Sequence, residues 1–574
     1  MDLSNTIPAT LSASDTQLET LHRRLREAVA DPARVQTRPI DLVAWASDAS
    51  FYHMLPRAVV HPMDVDEVRR VVEVACELSV PVTFRAAGTS LSGQAVTDGI
   101  LVVLSRAWEG IEAVDGGARV RVQPGVIGAQ VNRFLMPFGR RIGPDPASID
   151  SCMMGGILAN NASGMCCGVD ENAYHTIASA KVLLADGTLI DTGAADAAAT
   201  LEREAPQLAE GLRRLRADVL ADTDLTERIR AKYRQKNTTG YALNALIDHE
   251  EPIDILPRVL IGSEGTLAFI AEATLETLPT YPAKTTSFML FDSPSKAAAA
   301  TRVLAESGAR AVEFFDRASL AAVDDVAREL LGQDVDFHDG SSALLVEYQV
   351  GTEEELEALR PAIDAALERI ELARPAEFTR DAGRQALIWK ARKGLYPAVG
   401  AVRAAETTVL IEDVAVPVDR LPECVEGLQD LFDRHGYAGS IIFGHAKDGN
   451  LHFVITQRFD GDAERDRYAR FMDELVDLIA RRLEGALKAE HGTGRNIAPF
   501  VEAEWGPEAL AVMKRLKQIF DPEGVLNPGV VLNDDPTCHL QHLKHLPSAA
   551  AEVDACVECG FCEKVCPSVD LTLS

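Results

Sequence analysis

"FRAAGTSLSGQAV", residues 84 to 96, follows the strand-like run "VPVTF" and gathers small residues and hydroxyls at a strand exit. A loop of that kind can turn consecutive backbone N–H groups toward a pyrophosphate, as other phosphate nests do. A glycine-rich strand exit is also an ordinary turn. Three further stretches bear on the choice: "GPDPASIDSCMMGGILANNASG" (143 to 164), "IGSEGTLAFI" (261 to 270) and "LNPG" (526 to 529). The G-x-G-x-x-G fingerprint is absent, which disfavours a nicotinamide cofactor on a Rossmann fold.

Working outward, residues 51 to 275 alternate short β-branched runs ("ILVVLS", "ARVRVQPGV", "KVLLADGTLIDTG") with helical segments such as "DVDEVRRVVEVACELS". That texture predicts an α/β or α+β domain. Residues 276 to 525 form a second mixed region, with strands expected in "TTSFMLF", "SSALLVEYQV" and "SIIFGHA". "FDPEGVLNPGVV" (520 to 531) reads as a turn leading to a final strand. The leading segment contains one expected helix, "DTQLETLHRRLREAVA", and the last residues, from about Pro547, read as a linker and a cysteine cluster.

At 574 residues the chain is too long for one ordinary core, given about 150 residues per domain. A net charge of -30 argues against nucleic acid, which needs clustered Lys and Arg. It also means that an anionic substrate must be gripped locally rather than steered by the overall field. No signal peptide is evident at the N-terminus, and no apolar run approaches the ~18 residues that span a bilayer. A cytoplasmic location is expected, with association on the membrane's inner face left open.

Two local patterns point to metals. In "FGHAKDGNLHFVI" (443 to 455), Asp448-Gly449 is a strong signal for a two-residue type I′ turn. Such a turn sets His445 directly opposite His452 on one face of a hairpin. A third ligand is expected from "AEHGTG": Met472, Leu475, Ile479, Leu483 and Ala486 recur at helical spacing, and Glu490 falls next on that stripe. Gly492 reads as the helix stop. An acid on an apolar stripe must be paired or bound to a cation, and two histidines plus one carboxylate suit zinc or a similar divalent ion. The competing interpretation is a set of satisfied core residues. In the tail, Cys556, Cys559, Cys562 and Cys566 are spaced C-x2-C-x2-C-x3-C-P, the ferredoxin run for a 4Fe-4S cluster. A structural zinc site is the alternative there.

Taken together, the glycine-rich loop, "NNASG", "GSEGTL", "GHAKDGNLH", "EHGTG" and "LNPG" resemble the motifs of the FAD-linked D-2-hydroxyacid dehydrogenases. That family includes D-lactate, D-2-hydroxyglutarate and glycolate dehydrogenases. The resemblance covers residues 50 to 532 and implies an α+β protein with a vanillyl-alcohol-oxidase-type flavin fold. It divides the chain into an N-terminal helical segment (1 to 50), an FAD-binding domain (51 to 275), a substrate or cap domain (276 to 525), a return to the FAD domain with a linker (526 to 546) and a partial ferredoxin-like 4Fe-4S segment (547 to 574). With the cysteine tail, the chain looks most similar to the fused flavin and iron-sulfur members. Those are longer and carry a second cluster motif, which implies that this chain is a piece of such a protein.

By the same resemblance, Arg85, Ala87, Gly88, Thr89, Ser90 and Leu91 would hold the FAD pyrophosphate. Pro124, Gly125, Ser148, Gly155, Gly156 and Asn160 would line the flavin, as would Ser163, Gly164, Glu264, Ile270 and Asn527. No histidine occurs in the first loop, so the flavin is expected to be non-covalent. The family's metal ligands fall on His445, His452 and Glu490, its catalytic base on His491, and its carboxylate clamp on Arg392. The implied activity is NAD-independent oxidation of a D-2-hydroxyacid, with electrons passed through iron-sulfur chemistry to a quinone, cytochrome or other acceptor.

Two departures bear on the substrate. Lys447 stands where the family has glycine, and shares the expected hairpin face with the histidines. It either pairs with an acid or the substrate there, or is a solvated turn lysine. Ile411 stands where hydroxyglutarate-type relatives place a lysine, which leans toward a short acid such as D-lactate. Hydroxyglutarate, glycolate and a non-catalytic electron-transfer subunit are the alternatives.

Overall fold

The computed structural model describes residues 15–104, 106–395, 400, 403–404, 406–550, 554 and 556. Three main sheets organise it. The first contains β1 (Val35–Gln36), β2 (Ala58–Val60), β3 (Val82–Arg85) and β4 (Ile100–Val103), in the order β1-β2-β4-β3. Strands β2, β4 and β3 are parallel, and β1 is antiparallel to β2. The second sheet is antiparallel: β5 (Ile111–Val114), β6 (Arg119–Val122), β8 (Ile177–Leu183), β9 (Leu189–Asp191) and β10 (Phe269–Glu276), in the order β5-β6-β10-β8-β9. A short ribbon pairs β7 (Arg140–Arg141) with β11 (Leu278–Pro279).

The helix Val65–Leu78 is wedged between the first two sheets. Its β-branched run is tolerated because both of its apolar rows are buried. Val71 and Ala75 pack with Val60, Val82 and Val102 of the first sheet, while Val68 and Val72 pack with Leu183 and Phe269 of the second. Asp64 caps the helix by accepting the N–H of Glu67, a contact that satisfies one of the orphan donors of the first turn.

The third sheet has seven antiparallel strands: β12 (Ala283–Phe291), β13 (Ala311–Phe315), β14 (Ser342–Val350), β15 (Phe378–Thr379), β16 (Thr408–Ala415), β17 (Ile441–His445) and β18 (Asn450–Gln457), in the order β15-β12-β14-β13-β17-β18-β16. Alternate residues of β14 serve opposite cores. Leu344, Val346 and Tyr348 pack against the helices Pro294–Glu306, Leu421–His435 and Asp462–Val476. Ala343 and Leu345 face the other way, with Ile388 of the helix Ala382–Lys393 and, at the margin, Leu91 of the first half. The second face therefore borders the glycine-rich loop.

The expected final strand at 520–531 does not form. After the helix Val501–Phe520, Asp521 accepts the N–H groups of Val525 and Leu526. A single parallel bridge then joins Leu526 to Val82 at the edge of the first sheet. Asn527, Gly529 and Val531 adopt positive φ of 42°, 78° and 64°, which bends the backbone away from an extended path. Among the described residues no helix is long and apolar enough to cross a membrane.

Glu67 anchors the leading segment. It is 2% exposed, accepts both Nη groups of Arg34 at 2.5 and 2.7 Å, and accepts the N–H groups of Ala30 and Met63 at 2.8 Å. The hydrogen bonds from Arg34 hold its carboxyl down to about 2 from the usual 4.5. A carboxylate depressed in this way adds stability that is full above about pH 4.5 and is lost as pH falls toward 2. Glu67→Gln is expected to destabilise the protein by about 2 kcal/mol at neutral pH, with the difference from wild type shrinking on acidification, read by denaturant unfolding across a pH series.

Candidate active site

Strands β17 and β18 carry the two expected histidines, but not by the expected turn. Phe443, not His445, pairs with His452, and residues 446–448 form a 3-10 turn closed by Gly449 at φ 70°. A single left-handed residue after a 3-10 turn gives a longer hairpin loop than a type I′ turn, which needs two. Gly444 adds an irregularity: a Cβ there would sit 2.5 Å from the Asn450 carbonyl oxygen. The offset places His445 opposite Glu313 of β13. Even so, the imidazoles of His445 and His452 lie edge to face, 4.9 Å apart.

Glu490 arrives by a different route from the helical stripe expected of it. The helix Asp462–Val476 runs into a π-helical turn, Asp477–Arg482, and ends before Glu484, whose φ is 54°. Ala486 then bridges to Ala415 at the end of β16, so Glu490 lies on an irregular segment well past the helix. Asp413 of β16 holds that segment. Its Oδ2 accepts the N–H groups of Ala489, Glu490 and His491 at 3.1, 2.6 and 2.9 Å.

The carboxylate of Glu490 is divided between two tasks. Oε2 accepts from Ser163 Oγ (2.7 Å), the Gly164 N–H (2.7 Å) and Lys236 Nζ (3.0 Å). Oε1 faces His445 Nε2 at 3.0 Å and His452 Nε2 at 3.6 Å. One ligand atom from each of these three buried residues lies within 4.8 Å of the others. On the far side of each ring, His445 Nδ1 meets Glu313 Oε1 at 2.8 Å, and His452 Nδ1 meets Asp413 Oδ1 at 3.2 Å. Outer carboxylates of this kind fix the tautomer and aim Nε2 at a cation. The donor set therefore fits a divalent ion.

The charges follow. Burial opposes charge on His445, but Glu313 and Glu490 outweigh it and push the imidazole up to about 9. Burial pulls His452 down to about 4 against the influence of Asp413. Glu490 pays a burial penalty that Lys236 and His445 overcome, leaving its carboxyl well below the usual range.

A cleft runs from this cluster to the glycine-rich loop. Leu91, Ser148, Cys152, Ile411 and Phe443 line its inner part with Arg392, His445, His452, Glu490 and His491. Thr89, Ser90, Gly156 and Asn160 belong to this part and also to its continuation. That continuation is lined by Ala87, Gly88, Pro124 and Gly155, and by Glu264 and Ile270. Burial pushes the Glu264 carboxyl up to about 8, against the Gly494 N–H that it accepts.

The remaining expected flavin residues lie behind the walls. Arg85 donates to the Ser47 carbonyl at 2.8 Å, and the Gly125 N–H to that of Trp108 at 3.0 Å. Asn527 donates to the carbonyls of Gln94 (3.0 Å) and Glu264 (2.9 Å), while Ser163 and Gly164 serve Glu490. In the loop itself, the backbone N–H groups of Ala87 to Leu91 donate to no acceptor among the described residues. A row of open donors beside a cleft suits a diphosphate.

His491 is stacked on His452, with ring centroids 4.9 Å apart and planes at 11°. Its carbonyl accepts from Gln94 Nε2 (2.8 Å) and Asn160 Nδ2 (3.1 Å). Arg392 is 3% exposed. Its Nε donates to Glu313 Oε2 at 2.6 Å, and its guanidinium lies over the Phe443 ring at 4.6 Å. Lys447 points to Asp448, at 3.6 Å, and is absent from the cleft lining. Of the tail cysteines, Cys556 is exposed and its carbonyl accepts from Arg403. Cys559, Cys562 and Cys566 lie outside the described residues.

Sequence reasoning missed Asp413, Glu313 and Lys236. The first two left a signal: the acids inside the apolar runs "TVLIEDVAV" (Glu412 and Asp413) and "AVEFF" (Glu313) must find partners if those runs are buried strands. Lys236, in the polar stretch "RQKNTTG", left none.

Residues 56–193 match the FAD binding domain family, and residues 280–531 match the C-terminal domain of FAD linked oxidases. The chain is 27% identical to the glycolate oxidase subunit GlcD of Bacillus subtilis, over 84% of this chain and 90% of that one. It is 27% identical to D-2-hydroxyglutarate dehydrogenase of Haemophilus influenzae, over 87% of this chain but 50% of that longer protein. Identity to the mitochondrial D-lactate dehydrogenase [cytochrome] 1 of Saccharomyces cerevisiae is 24%, over 84% and 73%. The fold matches p-cresol methylhydroxylase with a TM-score of 0.63 at 13% identity, covering 91% of this chain and 98% of that one. The α+β architecture is thus of the vanillyl-alcohol-oxidase and p-cresol-methylhydroxylase type, and the chain belongs to the FAD-linked D-2-hydroxyacid dehydrogenase family.

Proposed function

We propose that the protein oxidises a short D-2-hydroxyacid, D-lactate foremost, to the 2-oxoacid, using FAD and a divalent cation such as zinc. The observation that carries this reading is the division of labour on Glu490. With Oε2 saturated by three donors, Oε1 and the two Nε2 atoms form an open ligand set inside the cleft. When bound there, a cation supplies Lewis-acid polarisation of a hydroxyl, and the flavin supplies the two-electron acceptor.

The chain's own residues provide the rest. Arg392 offers a planar, charge-assisted grip for the substrate carboxylate, its plane fixed by Glu313 and by the Phe443 ring. His491 borders the same cavity, on a backbone pinned by Asp413, Gln94 and Asn160. A ring nitrogen of its imidazole can accept the hydroxyl proton. Leu91, Phe443 and Ile411 give the cavity apolar surface, which suits a short side chain. A cluster on the four tail cysteines, handing electrons to a quinone, cytochrome or other acceptor, belongs to the same proposal.

One observation favours a second substrate. Lys393, adjacent to the clamp, also lines the cavity and could pair with the distal carboxylate of D-2-hydroxyglutarate. Comparing kcat/KM for D-lactate, D-2-hydroxyglutarate and glycolate with a dye acceptor tests the assignment. The highest value is expected for D-lactate; turnover of none of the three would rule out the enzymatic reading in favour of an electron-transfer subunit.

His491→Ala is expected to lower kcat by about 10² to 10⁴ with flavin content unchanged, measured by dye reduction and absorbance; near-normal turnover would remove His491 from the reaction. Dialysis against a strong chelator is expected to abolish turnover while flavin absorbance persists, with zinc restoring it. Full activity after elemental analysis has verified metal removal would exclude the metal's role.

A further inference from the structure

We propose that Glu313 is a positioning residue that locks the metal-binding imidazole and the carboxylate clamp to one another, so that the two halves of substrate recognition are set by a single side chain. The proposal rests on the reading of the cleft as a metal-dependent 2-hydroxyacid site.

Glu313 lies in the middle of β13 and is wholly buried. Its β-ladder partner is His445 of β17, and its Oε1 and Oε2 stand 2.8 and 3.0 Å from that residue's Nδ1. Its Oε2 accepts from Arg392 Nε at 2.6 Å, and Arg392 belongs to the last turn of the helix Ala382–Lys393, on the apolar face of the sheet. One carboxylate therefore joins a strand that carries a metal ligand to a helix that carries the clamp.

Both contacts are oriented. With Nδ1 against Glu313, His445 has only Nε2 to present to Glu490 Oε1, 3.0 Å away. With Nε held by Glu313 and the ring of Phe443 below, the guanidinium can neither flip nor slide, so its other N–H groups keep one bearing on the cavity. A carboxylate is the side chain that can accept from both N–H donors at once, with no N–H of its own. Glutamine keeps the size but removes the charge that both donors answer and sets an NH₂ against at least one of them, so both contacts weaken. Aspartate keeps the charge but is one methylene too short to reach both. A residue that merely filled the core would disturb neither function selectively, because the two ligands it affects are chemically unrelated.

The test uses the full flavin-loaded chain and two separate probes. Zinc affinity, by competition with a chelator, reads the imidazole set. Inhibition by propionate, a carboxylate with no 2-hydroxyl, reads the clamp alone. Glu313→Gln is expected to weaken zinc binding by about 10-fold or more and propionate binding by about 10-fold, with flavin content unchanged. Arg392→Lys is expected to weaken propionate while leaving zinc affinity as in wild type. If Glu313→Gln fails to retain flavin, Glu313→Asp takes its place and is expected to recover at most one of the two affinities. A flavin-loaded Glu313→Gln protein that keeps either affinity at its wild-type value, or a Glu313→Asp protein that keeps both, overturns the proposal. A wild-type protein that binds neither zinc nor propionate overturns the reading of the cleft itself.

Discussion

The buried carboxylate of Glu490 is the constraint on which the rest depends. A charge removed from water must be compensated in place, and taking away one partner of a buried pair costs about 3 to 5 kcal/mol. Here the compensating groups come from both halves of the molecule: Ser163, Gly164 and Lys236 from the flavin-binding side, His445 and His452 from the seven-stranded sheet. The two halves are thereby held at one separation. The cleft that they enclose inherits its width from that separation.

Around this point the structure repeats one device. Asp413 and Glu313, both in strands buried on two sides, each brace an imidazole together with a second feature: a backbone segment for Asp413, an arginine for Glu313. Acids in such strands are expensive to bury, and each is satisfied by several charged or N–H partners. Rigidity at the ligands is the return.

Much of this was legible in the sequence, and the limits are physical. The strands and helices of both halves follow from apolar periodicity, and the meeting of His445, His452 and Glu490 from residue types whose burial demands partners. The hairpin register was misread because Asp448-Gly449 favours a type I′ turn locally. The irregularity at Gly444 and the 3-10 turn shift pairing by two residues, and only the neighbouring strands β13 and β16 fix that. Glu490 continued a helical stripe in the sequence, yet the helix ends before it, because Ala486 pairs with Ala415 and Asp413 captures the amides of Ala489, Glu490 and His491. Those are contacts between residues some seventy positions apart. Lys236 shows the same limit from the other side, since nothing in its neighbourhood announces the carboxylate that it meets.

The bridge from Leu526 back to Val82 has a consequence for assembly. Thr83 and Asn527, 444 positions apart in sequence, are hydrogen-bonded, and the Asn527 amide also closes onto the Gln94 and Glu264 carbonyls behind the glycine-rich loop. Pairings of such high contact order carry a large loop-closure entropy and form late. On a ribosome, the nucleotide half would emerge early and wait, its edge unsealed, until synthesis had passed Asn527.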